Sequence, residues 1–321
     1  MTVPPVDAVL LLSFGGPEGP DDVRPFLENV TRGRGVPAER LDEVGRHYLE
    51  AFGGVSPLNA QCRALRAALE ASLDGLPVYW GNRNWHPFLA DTVRELEADG
   101  RRHALVVTTS AFPSYSGCRQ YREDLAGVTT DVVLTKLRNY WSEPGFLDPV
   151  RRNVLRAAEG LTAPLLLFTA HSVPLSMAAA AGPGGGAYVQ AMREASARVA
   201  GEHPWDLAWQ SRSGPPSVPW LEPDVSDRLR TLAAEGFSEV VLVPIGFTSD
   251  HVEVVYDLDL VAVPEAPAGM TVRRAATVGT DPEFVAMLRD LVAERVEQPL
   301  REDHGGVGTQ DVCPAHCCLT R

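Results

Sequence analysis

The chain has 321 residues, 45% of them hydrophobic and 22% charged, and carries a net charge of −13. These are the proportions of a soluble globular protein of two domains or one large one. The acidic balance argues against nucleic acid and against an anionic membrane surface as partners.

The amino-terminal run MTVPPVDAVLLLSFGGP has no basic segment, and its apolar part is too short to span a bilayer. It reads as a first strand, starting at Ala8, of a cytoplasmic protein without membrane insertion. Further strand patterns start at Leu76 (LPVYWGNRN), Ala104 (ALVVTTSAF) and Asp131 (DVVLTKLRNY). A second set starts at Pro164 (PLLLFTAHS), Trp205 (WDLAWQSR), Glu239 (EVVLVPIGF) and Thr271 (TVRRAATVG). Helical patterns lie between, among them NAQCRALRAALEASL from Asn59 and HPFLADTVRELEADG from His86. This alternation predicts an α/β protein of parallel sheets with helices on both faces. The two sets match in length and spacing, which predicts two similar doubly wound domains with a cleft between them. The pattern breaks at SEPGF, so residues 1–145 are expected to form the first domain and 146–280 the second. In residues 281–321 a last helix is expected to pack back on the first domain, followed by a Cys-rich tail. No GxGxxG follows the first strand, and GPGGG from Gly182 reads as a flexible loop, which weakens a dinucleotide-binding reading.

The most informative stretch is Val240 to Asp259, VVLVPIGFTSDHVEVVYDLD. Its uncharged apolar run reads as a buried parallel strand. Asp250 stands where a helix N-cap is expected, with His251 near the first turn. Glu253 and Asp257 are four apart and so share a face of the following helix. Two acids at the carboxyl end of a parallel strand suit a divalent cation. The bland alternative is an amphipathic helix with a solvated acidic face. Other strand ends are polar as well: TAHSVP around His171, QSRSGPP around Arg212 with Trp220 beyond, and WHPF around His86.

FTAHSVP, WQSRSGPPSVPWLEP and PIGFTSDHVEVVYDLD together resemble the ferrochelatase family, as do LLLSFGGPEGPDDVRPFLENV, FGGVSPLN and NWHPF. The resemblance runs from about Ala8 to about Asp281. It implies two Rossmann-like domains around a porphyrin cleft and insertion of Fe²⁺ into a tetrapyrrole. TSAFPSYSGCRQYRED and the Cys-rich tail resemble the actinobacterial branch, which implies coproporphyrin III as substrate, coproheme as product and a downstream coproheme-processing enzyme as partner. By the same resemblance His171 and Glu253 are the catalytic pair and meet the metal, and Asp257 continues the metal path. A neutral imidazole, with a pKa of about 6.5, can take a pyrrole proton at physiological pH. Porphyrin contacts are expected from Phe14, Arg119, Tyr121, Ser172, Arg212 and Trp220. The chain departs from some relatives at Phe14, where they place a Tyr near the metal, and at Val261, where they continue the acidic row.

Five Cys in an intracellular chain suggest metal or redox chemistry rather than disulfides. Cys62 lies in a helical pattern and reads as a packed small hydrophobe. Cys313, Cys317 and Cys318 crowd a tail without periodicity, preceded by Gly305, Gly306 and Gly308, which read as flexible. The resemblance adds Cys118 as a fourth thiol for a 2Fe–2S cluster. Zinc on the same thiols is the alternative, and His316 is expected to face solvent. Other functional readings are a protoporphyrin IX ferrochelatase, a non-catalytic iron–sulfur or tetrapyrrole-binding protein, and a cobalt chelatase. A monomer is expected.

Overall fold

The computed structural model describes residues 3–319. The chain divides into two compact units. One runs to Thr109 and adds Tyr121–Leu137 and Val285–Pro299; the other takes Ser110–Gln120, Arg138–Phe284 and the chain from Leu300. Residues 110–120 and the tail therefore fall in the second unit together, which puts Cys118 in the same unit as the tail thiols.

The first half of the chain runs β1 (Ala8–Ser13), α1 (Pro20–Val30), α2 (Ala38–Phe52), α3 (Pro57–Ser72), β2 (Val78–Asn82), α4 (Leu89–Ala98), β3 (His103–Thr108), α5 (Gln120–Gly127) and β4 (Val133–Lys136). Its sheet is parallel throughout, in the order β2-β1-β3-β4. All six residues of the central strand β1 are buried, as its unbroken apolar run requires when both faces are covered. Helix α3 starts where Pro57 cannot donate and the Ser56 hydroxyl accepts from the Leu58 amide at 3.4 Å. It turns Leu58, Cys62, Leu65 and Leu69 inward. Each such buried leucine contributes about 1.5–3 kcal/mol. Cys62 packs as a small apolar side chain, its thiol 3.1 Å from the Ser13 hydroxyl and pushed up by burial to about 11.

The second half runs α6 (Pro144–Ala158), β5 (Leu165–His171), α7 (Leu175–Ala179), α8 (Ala187–Ala200), β6 (Trp205–Gln210), α9 (Val225–Ala234), β7 (Glu239–Val243), α10 (Val252–Val254), a π-helical segment (Val255–Ala262), β8 (Thr271–Arg274) and α11 (Pro282–Glu297). Its sheet repeats the same winding, parallel in the order β6-β5-β7-β8. All eight expected strands are present, at the expected places. The order reverses between β5 and β7, and in such sheets the crevice beyond the carboxyl ends of those strands takes the ligand. His171 closes β5, and the segment 244–262 leaves β7 at that end.

The expected helix over this segment is only in part an α-helix. Three α-helical residues pass into eight π-helical ones, closed by a Val263 amide bond to the Leu258 carbonyl five residues back, at 2.9 Å. Val254, Leu258 and Ala262 form its buried row, packed with Leu167, Leu229, Leu232 and Leu242. Glu253, Asp257 and Val261 each stand one residue earlier, beside that row rather than in it. The N-cap also differs from the expectation. The His251 ring, not Asp250, caps the turn, its Nδ1 accepting from the Glu253 amide at 3.3 Å. The Asp250 carboxylate is instead taken by Arg274 at 3.1 Å and Thr277 at 3.2 Å.

Candidate active site

His171 is fixed from three directions. Its carbonyl accepts from the Tyr188 hydroxyl of α8 at 2.8 Å, and its Nδ1 lies against the Ser172 carbonyl, so that nitrogen carries a proton. Its Nε2 faces Glu253 Oε1 at 3.3 Å. The Tyr188 ring leans on Trp209 of β6, centroids 5.7 Å apart. Burial disfavours charge on both members of the His171–Glu253 pair, but each stabilises the other's charge. The imidazole is raised to about 9 and the carboxyl lowered to about 2. The resting pair is therefore imidazolium and carboxylate at neutral pH. This differs from the neutral imidazole expected from the sequence.

Asp257 behaves in the opposite way. Burial and the neighbouring Glu253 charge push it up to about 7, although the Ser211 hydroxyl donates to its Oδ2. Ser211 immediately follows β6 and holds a left-handed φ of 61°, unusual for a residue with a side chain. Gln210, before it, is 1% exposed and donates from Nε2 to the Glu253 carbonyl. The end of β6 thus grips both acids of the facing segment. Burial lowers His251, and its Nδ1 acts as an acceptor, in keeping with a neutral ring. The arrangement offers one ion pair and, one turn along, one carboxyl that titrates near neutrality.

The structure joins His171, Glu253 and Asp257, and the expected porphyrin contacts divide between the two units. Ser172 is 2% exposed, its hydroxyl spent on the Leu221 carbonyl at 2.8 Å. Tyr121 lies 4% exposed in the core of the first unit, beneath the Arg83 guanidinium at 4.5 Å. Arg119 donates to the Ala315 carbonyl of the tail at 2.6 Å. These three are committed to structure in place of a substrate surface. Arg212 is exposed and reaches the Val218 carbonyl at 3.2 Å. Trp220 is half-buried, and its Nε1 has no partner among the described residues. Phe14, just past β1 in the first unit, is 38% exposed and meets Phe26 edge-on at 6.3 Å. His86 of the same unit packs edge-on against Phe88 at 4.5 Å. Tyr188, Gln210 and Ser211 escaped the sequence reading. Ser211 and Gln210 stood in a quoted motif, but nothing in one sequence says which of its polar residues faces the acids.

The tail is less free than its glycines suggest. Asn139 donates to the Gly308 carbonyl at 2.8 Å and Trp141 to the Val307 carbonyl at 2.9 Å. A Cβ on Gly306 would lie 2.7 Å from the Trp141 ring, and one on Gly308 2.7 Å from Pro113. These glycines allow close approach. Likewise the Gly182 loop is tied, its amide donating to Cys318 Sγ at 3.0 Å. Cys317 and Cys318 have their sulfurs 3.6 Å apart, both residues 2% exposed. Gln310 Nε2 donates to Cys313 Sγ at 3.2 Å and to Cys317 Sγ at 3.9 Å. Hydrogen bonding with Cys313 and Cys318, together with burial, pushes the Cys317 thiol strongly up. Cys118 is 3% exposed beside Arg119, whose contact to Ala315 brings its loop to the tail. Cys313, Cys317 and Cys318 thus gather soft-sulfur donors, with N–H groups aimed at them, of the kind that hold iron–sulfur clusters or zinc. His316 is exposed.

Comparison with known proteins gives the following. The family model described as Ferrochelatase matches residues 6–296. A coproporphyrin III ferrochelatase of Streptomyces coelicolor is 51% identical, over 99% of this chain and 94% of its own length. One of Frankia alni is 54% identical, over 98% of this chain and 87% of its own. A ferrochelatase of Rhodopirellula baltica is 47% identical, over 99% and 94%. Among solved structures, SirB from Bacillus subtilis with Fe³⁺ matches with a TM-score of 0.56 at 11% identity, over 91% of this chain and 96% of that one. CbiX, described as the terminal enzyme of siroheme biosynthesis in denitrifying bacteria, matches with a TM-score of 0.51 at 16% identity, over 89% and 98%. These structural likenesses bear on the fold alone.

Proposed function

The chain belongs to the ferrochelatase family, and from that premise we propose that it inserts Fe²⁺ into coproporphyrin III to give coproheme. The observation that carries the chemistry is the His171–Glu253 pair with Asp257 one turn beyond it. The porphyrin must lose two pyrrole protons, and His171 at rest is already protonated. An incoming dication takes over as the counter-charge of Glu253. Removing a proton from a group with a pKa of about 9 at pH 7 costs about 3 kcal/mol. Repulsion between a dication and an imidazolium about 4 Å apart is on the order of 8 kcal/mol at an effective dielectric of 20. Arrival of the metal therefore suffices to expel the proton. Asp257, poised at about 7, passes that proton outward. As the metal's charge is taken up by the porphyrin nitrogens, the repulsion falls away and neutral Nε2 can accept the two pyrrole protons in turn, each passed on by the same carboxyl. The coproporphyrin reading rests on the relatives' substrate and on the overall likeness to them.

We infer further that Cys118, Cys313, Cys317 and Cys318 hold a 2Fe–2S cluster. When bound, it supplies a covalent tie between the Cys118 loop and the tail, and no step of insertion passes through it. No helix among the described residues is long and apolar enough to cross a membrane. We read the protein as a cytoplasmic monomer that hands coproheme to a downstream enzyme. A side-by-side anaerobic assay of Fe²⁺ with coproporphyrin III and with protoporphyrin IX tests the central reading. Faster metallation of coproporphyrin III is expected; preference for protoporphyrin IX, or no metallated product, overturns it.

A further inference from the structure

The active-site acids sit on an uncommon element. A π-helix closes its hydrogen bonds five residues back, and such turns occur mostly as single bulges at functional sites. Here the π-helical stretch covers Val255–Ala262 and carries Asp257, with Glu253 in the turn before it. Its buried row of Val254, Leu258 and Ala262 anchors one side only. On the side of the edge strand, one residue ties the approach to this segment to the middle of the π-helical stretch. Arg274, the last residue of β8, is paired with Leu242 of β7, one residue before the carboxyl end of that strand. Its side chain is 15% exposed. Nε and Nη2 reach the two oxygens of Asp259 at 2.6 and 2.8 Å, and Nη1 reaches Asp250 Oδ1 at 3.1 Å. Thr277 fixes the same Asp250 oxygen at 3.2 Å.

One guanidinium thus bridges the residue before the N-cap His251 and a residue deep in the π-helical stretch. His251, Glu253 and Asp257 all lie between its two grips. A forked, planar donor suits this task, because two of its nitrogens are taken by one carboxylate while the third stays available for the other. A lysine ammonium offers a single charged point and cannot reproduce the fork. Neither Asp250 nor Asp259 faces His171 in the contacts that build the active site.

We propose that Arg274 is a positioning residue for metal insertion, clamping Asp250 and Asp259 so that the π-helical turn presents Glu253 and Asp257 to the metal. It touches no reacting atom. The inference rests on the insertion reading given above, and the wild-type assay separates the two: an inactive wild type overturns that reading, whereas an active wild type makes the variants a test of the clamp.

The experiment uses the full-length protein and its Arg274→Gln, Arg274→Lys and Asp259→Asn variants. Each is assayed with Fe²⁺ at least ~10 °C below its own Tm. Arg274→Gln is expected to lower kcat at least tenfold, with porphyrin affinity by fluorescence quenching within twofold of wild type. Arg274→Lys should fall between the two. Hydrogen exchange should quicken in residues 252–262 and stay unchanged in β5 and β6. If Arg274→Gln does not fold, Asp259→Asn removes the fork while keeping the cation and Asp250, and at least a threefold loss of kcat is expected. A folded Arg274→Gln, or failing that a folded Asp259→Asn, with kcat within twofold of wild type overturns the proposal. So does unchanged exchange in 252–262.

Discussion

At the scale of single residues, the resting state of His171 is the point to test. Its pKa of about 9 depends on Glu253, since burial by itself works the other way. In Glu253→Gln the burial is left unopposed by its main partner. An NMR titration should find His171 near 9 in the wild type and well below that in the variant; an unmoved titration would separate the two groups. The sign for stability follows. A raised histidine contributes in full below its ordinary 6.5 and loses its contribution as pH rises through about 9. A lowered glutamate contributes above its ordinary 4.5 and loses its contribution as pH falls through about 2. The pair thus stabilises the fold most between about pH 4.5 and 6.5, and Glu253→Gln should flatten the loss of Tm toward pH 9. In turnover, Glu253→Gln should slow insertion by about 10²–10⁴-fold, the usual worth of a group in proton transfer. Asp257→Asn should cost less, and more iron should restore part of it. Equal losses that ignore iron concentration would remove the ordered path from Glu253 to Asp257.

At the scale of elements, the regular parts were legible and the site's own element was not. The central strands announce themselves by an apolar run with turn residues after it, as AVLLLS does in β1 and LLLFTAH in β5. The spacing of Glu253 and Asp257 equally signalled a helix. It could not signal a π-helix, because a spacing of four puts both acids on one face of either helix and the difference lies in which carbonyl each amide finds. Nor could it give the N-cap to His251 over Asp250, a choice made by Arg274 from β8. Ser211 and Tyr188 were hidden for the same reason: their partners, Asp257 and the His171 carbonyl, come from other elements. The tail segment was misread as flexible because glycine signals both freedom and closeness. Gly306→Ala decides between them. The added methyl meets the buried ring of Trp141 and the Ser142 side chain at 2.7–3.0 Å, so it should destabilise by about 1–3 kcal/mol, the usual cost of overpacking. A freely moving segment would show no change in Tm.

At the scale of the whole molecule, the placement of Cys118 changes what a cluster would do. Its loop and the tail belong to one unit, and hydrogen bonds from Asn139, Trp141 and Arg119 hold the tail without any metal. Cys118→Ser should therefore abolish visible iron–sulfur absorbance while lowering Tm by less than a sole cross-link of so long a loop, which in theory contributes on the order of a few kcal/mol. Cys62→Ser should leave the absorbance intact. Retained absorbance in Cys118→Ser, or stoichiometric zinc without iron in the wild type, would remove the cluster. The repeated winding, β2-β1-β3-β4 and then β6-β5-β7-β8, has a consequence of a different kind. Two identical half-length chains, each with one such sheet, would have to carry every residue twice, because a symmetric pair repeats whatever either copy holds. A single chain holding both sheets is released from that. It can end β5 in a histidine and follow β1 with a phenylalanine, dividing between two copies of one architecture a labour that symmetry would have forced them to share.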